Sequence, residues 1–105
     1  MNDDFRRIPA FCINLDARSD RWARAQVEFA RVGWPVTRWS AVRHKNSPYS
    51  RLPVGHAGCL DSHRRLWRHC IEQNLATIAV FEDDVVLSSD FAVVFPQAAS
   101  SLPPE

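Results

Sequence analysis

Thr77-Ile78-Ala79-Val80-Phe81, closed by Glu82-Asp83-Asp84, decides how this chain is read. A short, continuous, β-branched apolar run is the signature of a strand buried on both faces, as in a parallel sheet. Upstream of it, Cys59, His63, Leu66, Trp67, Cys70 and Ile71 recur at helical spacing after Gly58, which predicts a helix with one apolar face ending near Asn74. Before that helix, Arg43 to Pro53 is a polar, aperiodic connection. Val36-Thr37-Arg38-Trp39 alternates as a strand does. Trp22, Ala25, Phe29 and Val32 mark another helix, with Ser19 as expected N-cap, Asp20 in the first turn and Gly33 as the stop. Ala10-Phe11-Cys12-Ile13-Asn14-Leu15 is the first strand. After the acids, Ser88-Ser89-Asp90-Phe91 opens a last helix that Pro96 is expected to end or kink, and Ala98 to Glu105 trails off. Strands alternating with helices predict an α/β domain with parallel pairing and right-handed crossovers.

At 105 residues the chain is sized for one domain, and its 46% hydrophobic and 24% charged residues exclude a disordered or fibrous chain. No apolar run reaches the roughly 18 residues of a membrane span, and the acidic Met1-Asn2-Asp3-Asp4 start is unlike a secretory signal. A net charge of +1 gives no electrostatic case for nucleic acid. All basic residues but Lys45 are arginines, which suit phosphate binding but also arise from genomic base composition. Three cysteines, Cys12, Cys59 and Cys70, are too few and too odd for a secreted disulfide framework, so a reducing cytoplasm is expected.

Ligands of open α/β sheets collect at the carboxyl ends of strands. Two polar clusters fall there. Asp16 to Arg21 offers Arg18 and Arg21 beside a helix start, a setting for phosphate that serves equally as a solvated first turn. Glu82-Asp83-Asp84 needs compensation, either from arginine or from a hard divalent cation such as Mn²⁺ or Mg²⁺. In an extended segment Glu82 and Asp84 point to one side and Asp83 to the other. A third constellation, Gly55-His56-Ala57-Gly58-Cys59-Leu60-Asp61-Ser62-His63, has glycines that permit close backbone approach at a helix start. His56, Cys59 and His63 have spacings zinc could use, but Cys59 and His63 sit on the apolar stripe and no C-x-x-C pair supports a closed tetrahedron, so zinc is disfavoured. The tryptophans Trp22, Trp34, Trp39 and Trp67 are expected mostly in the core. Asp61, taken as exposed near a helix start, is expected to matter little for metal-dependent binding.

Three blocks in order are then recognisable: Ile13-Asn14-Leu15-Asp16 with Arg18, Asp20, Arg21 and Trp22; Gly55-x-x-Gly58-Cys59-x-x-Ser62-His63; and Val80-Phe81-Glu82-Asp83-Asp84-Val85 with Ser88, Asp90 and Phe91. Together they resemble glycosyltransferase family 25, the lipopolysaccharide and lipooligosaccharide galactosyltransferases. The resemblance implies a GT-A-like, Rossmann-type, partly parallel sheet with flanking helices, residues 1–105 forming one domain incomplete at its C-terminus. It implies a nucleotide-sugar donor, most often UDP-galactose, a saccharide acceptor, and a cytoplasmic location or a peripheral one at the inner membrane. Asn14, Asp16, Arg18 and Arg21, with Ser62, His63 and Asp83, would meet the nucleotide-sugar, and Glu82 and Asp84 would hold the Mn²⁺ or Mg²⁺. No residue is singled out as catalytic; beyond Phe91 only Glu105 could act as a base, so the chain alone is not expected to be an efficient transferase. An open sheet edge would favour self-association. The alternatives from other classes are a non-catalytic nucleotide-sugar-binding module and a small His/Cys metal-binding protein.

Overall fold

The sheet is built around β1 (Ala10–Asn14), the only strand buried at every position among the described residues, which are 4–101 of this computed structural model. β2 (Val36–Ser40) and β3 (Ala79–Glu82) flank it, both parallel, in the order β2-β1-β3. Helix α1 (Ser19–Val32) joins β1 to β2, α2 (Val54–Glu72) joins β2 to β3, and α3 (Phe91–Ser100) follows. The fold is thus the expected α/β class with a parallel sheet. The first crossover steps to one side of β1 and the second returns past it, so right-handed connections place α1 and α2 on opposite faces. The two cores show this division. Ala10 and Cys12 pack with Ala25, Phe29 and Val32 of α1, whereas Phe11 and Ile13 pack with Leu66 and Cys70 of α2. Reversal of direction about β1 opens a crevice outside the carboxyl ends of β1 and β3, where such sheets bind ligands.

α1 ends as its sequence dictates: Gly33 takes the left-handed conformation at φ 69°, and the Trp34 N–H reaches back to Phe29 O at 3.1 Å. Trp34 is then buried, its indole N–H donating to Ile8 O at 3.1 Å. Asn74, at φ 57°, is the left-handed residue just after α2.

Several expectations are corrected. Ser19 is the first helical residue rather than the cap, and Arg18 at the cap position makes no side-chain capping bond. α2 begins at Val54, so Gly55 and Gly58 lie inside it. A side chain on Gly58 would stand 2.6 Å from the Val42 carbonyl oxygen, so this glycine serves close approach of the preceding loop rather than of a ligand. Its inward stripe is Gly58, Ser62, Leu66 and Cys70, while Trp67 is 49% and Ile71 75% exposed. Pro96 does not stop α3, which runs on to Ser100. Phe91 and Phe95 pack on Phe5 and Trp34 and hold the helix in place despite one missing backbone donor. The short 3₁₀ turn Phe5–Arg7, which brings Phe5 into that aromatic group, has no periodicity to announce it.

Two glycines three residues apart should therefore respond oppositely to one methyl group. Gly58→Ala forces backbone against backbone and should cost about 1–3 kcal/mol. Gly55, with nothing within 4 Å, should gain roughly 0.5 kcal/mol as alanine. Urea denaturation of the two variants measures both.

Candidate active-site crevice

Strand parity divides the acids. Glu82 is the register partner of Ile13 on β1, so it emerges on the α2 face; Asp83, one residue on, reaches the α1 side. The strand ends at Glu82, and 83–84 form a turn, so the alternation expected to bring Asp84 beside Glu82 does not extend that far.

On the α1 side the polar groups satisfy one another. The buried Asn14 amide donates to Asp83 Oδ2 at 2.7 Å and to Arg18 O at 3.1 Å, and its oxygen accepts from Arg38 Nε at 2.8 Å. Arg21 pairs with Asp83 at 2.8 Å. Arg38 also reaches Asp16, whose carboxyl is held below its ordinary range by the Ser40 hydroxyl and by Arg38. Asn14, Asp16, Arg21 and Asp83, expected to face a nucleotide, thus spend their polar groups on the frame of the crevice. Ser62 does likewise: it donates to Gly58 O at 2.7 Å and accepts from Val42 N–H at 2.8 Å, tying the loop after β2 to α2.

Arg18 is less committed. It holds Asp20, whose carboxyl falls to about 2 under that hydrogen bond, but the pair is solvent-exposed and so easily exchanged. Arg18 lines two adjoining cavities. A smaller one, about 240 Å³, also touches Arg21, Cys59, Ser62, Glu82 and Asp83. A larger one, about 790 Å³, adds Arg43, His44 and Lys45. Among the described residues Arg43 and Lys45 make no ion pair, and neither do Glu82 and Asp84. Arg43 and Lys45 line the larger cavity and Glu82 the smaller, so groups of both signs stand without ion-pair partners around one crevice, while Asp84 is exposed in the adjoining turn. Exposed carboxylates of this kind suit a hard divalent cation. His63 lies on α2 beside Cys59 and Glu82.

The comparisons bear on this geometry. A family model described as glycosyltransferase family 25 (LPS biosynthesis protein) matches residues 7–103. The chain belongs to glycosyltransferase family 25. Among its relatives, the lipooligosaccharide biosynthesis protein lex-1 of Haemophilus influenzae is 34% identical over 58 residues, covering 55% of this chain and 19% of its own length. The lipooligosaccharide biosynthesis protein lic2B of Haemophilus influenzae is 27% identical over 92 residues, covering 76% and 35%. The human protein called inactive glycosyltransferase 25 family member 3 is 33% identical over 102 residues, covering 77% and 17%. The chain therefore spans about a third or less of each of these relatives. In this family 25 domain, all three sequence blocks contribute residues to the rim of the smaller cavity.

Sequence reasoning missed Arg38, Arg43, Lys45 and the role of Asp61. Asp61 is half-buried and accepts from Tyr49 Oη at 2.6 Å, with His44 Nε2 at 2.7 Å on its other oxygen. It clasps the polar connection onto α2, and the reading of it as an exposed acid is corrected. The polar alternation of β2 could have flagged Arg38; nothing local marks the clasp. Glu105, the one late candidate base, lies outside the described residues.

Two measurements check the frame. Asn14→Ala leaves Asp83 and Arg38 without their shared partner and should cost about 3 kcal/mol in chemical denaturation. Asp61 is held below its ordinary 3.8, first by the Tyr49 hydroxyl and then by His44. A depressed folded pKa means that its stabilisation is in place above 3.8 and is lost as pH falls through the folded value. Asp61→Asn should lower the melting temperature at neutral pH, and the gap to the parent should close in acid.

Proposed function

We propose that this domain binds a nucleotide-sugar, UDP-galactose being the leading candidate, through Mn²⁺ or Mg²⁺, and serves its transfer to a lipopolysaccharide-type saccharide. The observation that carries the reading is the crevice of mixed charge: Arg18 lines both cavities, Arg43 and Lys45 the larger and Glu82 the smaller, and among the described residues none of them has an ion-pair partner beyond the exposed Arg18–Asp20 contact. Glu82 and Asp84 are the residues that would hold the cation. Once bound, it would supply charge neutralisation for a departing diphosphate. Arg18 would leave Asp20 for a phosphate, an exchange made cheap by solvent exposure. Arg21 and Asn14 keep Asp83 fixed, so the β3 end is already in place when ligand arrives. Among the described residues no helix is long and apolar enough to cross a membrane, which is compatible with the proposed cytoplasmic or peripheral location. β2 and β3 each pair on one side only among the described residues, so edge-to-edge self-association belongs to the same proposal.

A second reading, a binding module without transfer, is supported by the likeness to the human relative named inactive. Isothermal titration with UDP and UDP-galactose tests the binding common to both. Binding should require Mn²⁺ or Mg²⁺, and chelator or Asp84→Asn should weaken it by at least about tenfold, or roughly 1.4 kcal/mol. Equal affinity with and without chelator would remove the cation from the account. Turnover of UDP-galactose with a lipooligosaccharide acceptor then separates the transferase from the module.

A further inference from the structure

Glu82 emerges on the face of the sheet that α2 covers, and α2 presents two further donors to it. Cys59 and His63 stand one helical turn apart, on the same side. Cys59 Sγ, a His63 ring nitrogen and a Glu82 carboxylate oxygen all lie within 4.8 Å of one another, the thiol 3.8 Å from Glu82 Oε1. No other group of three such donors converges among the described residues. Cys59 and Glu82 are exposed at the rim of the smaller cavity, and His63 rests against the Trp67 ring at 5.8 Å.

We propose that Cys59, His63 and Glu82 form a zinc-binding site. One thiolate, one imidazole and one carboxylate make a borderline-soft donor set that suits Zn²⁺ and is a poor match for Mn²⁺ or Mg²⁺. Donors around a four-coordinate zinc stand ~3.5 Å apart, given bonds of about 2.0–2.3 Å, so side-chain rotation has to close roughly 1 Å. Metal uptake exchanges the thiol proton for the Zn–S bond and releases that proton to solvent. The three protein ligands leave the fourth position to water. His56, which the sequence spacing offers as a ligand, lies outside the group. Zinc here engages the Glu82 that the proposed function assigns to the nucleotide's cation, so zinc antagonises Mn²⁺-dependent nucleotide binding; that consequence rests on the transferase reading, whereas the site itself does not.

Zinc affinity of the full chain, kept reduced and titrated against a chromophoric chelator, tests the site. Cys59→Ser and His63→Asn should each weaken binding by at least about tenfold, and His56→Asn should leave it unchanged. Cobalt-loaded parent protein should show a thiolate-to-cobalt charge-transfer band that Cys59→Ser abolishes. Unaltered zinc affinity in both ligand variants overturns the proposal, as does a cobalt complex without that band or with a band that survives Cys59→Ser. Mn²⁺-dependent UDP binding is read separately by calorimetry. Its loss with zinc binding intact counts against the transferase reading alone, and the converse counts against the zinc site alone.

Discussion

The Asn14 amide is the point on which the crevice depends. It sits at the carboxyl end of the central strand and links three separate segments: Arg38 of β2, the backbone at Arg18 before α1, and Asp83 after β3. An amide suits the position because it donates and accepts at once. A carboxylate there would face Asp83 and repel it; a leucine would leave Arg38 and Asp83 desolvated and unmatched. The contact with Asp83 spans 69 residues of sequence and locks the last strand of the sheet to the first at the end where ligands bind.

That distance explains what could and could not be read from the chain. β1 and β3 were legible as short continuous apolar runs and β2 by its alternation of apolar and polar residues, and α1 was legible because Ala25, Phe29 and Val32 do pack inward. α2 was legible as a helix, and its Leu66 and Cys70 do face the sheet, but Cys59, Trp67 and Ile71 of the expected stripe are exposed. Large residues such as Trp67 and Ile71 suggested its inner face, whereas close packing on the sheet selected the small residues Gly58 and Ser62. The start of α2 was misplaced for the same reason. Glycine reads locally as a breaker, and only the approach of the Val42 carbonyl shows why it is needed inside a helix.

Within the site, residue types were legible but their partners within the fold were not. Asn14, Asp16, Arg21, Ser62 and Asp83 all lie at or near the crevice, yet each is engaged by a partner from another element. The pairing of Asp16 with Arg38 follows from the parallel register of β1 and β2, which no local pattern encodes. The Cys12 thiol is a comparable case. It sits in the central strand below the site, and burial, with the Asp83 charge a lesser cause, pushes it up to about 11, leaving an inert core group.

The pattern of satisfied and unsatisfied charge is what gives the crevice its chemical direction. Asp83 consumes Arg21, and Asp16 consumes Arg38, so the ion pairs nearest the sheet are closed. Left over are Arg43 and Lys45 along the larger cavity and Glu82 along the smaller, with Arg18 lining both on an exposed and easily exchanged partner. If the leftover groups were meant only to stabilise the fold, pairing them with one another would be the cheaper arrangement. The Asn14 and Ser62 bonds hold the β3 turn, the loop after β2 and the start of α1 in fixed places. A cation bound to a diphosphate, the ligand of the proposed function, would carry both signs at once and would complement both kinds of leftover charge without either having to move toward the other.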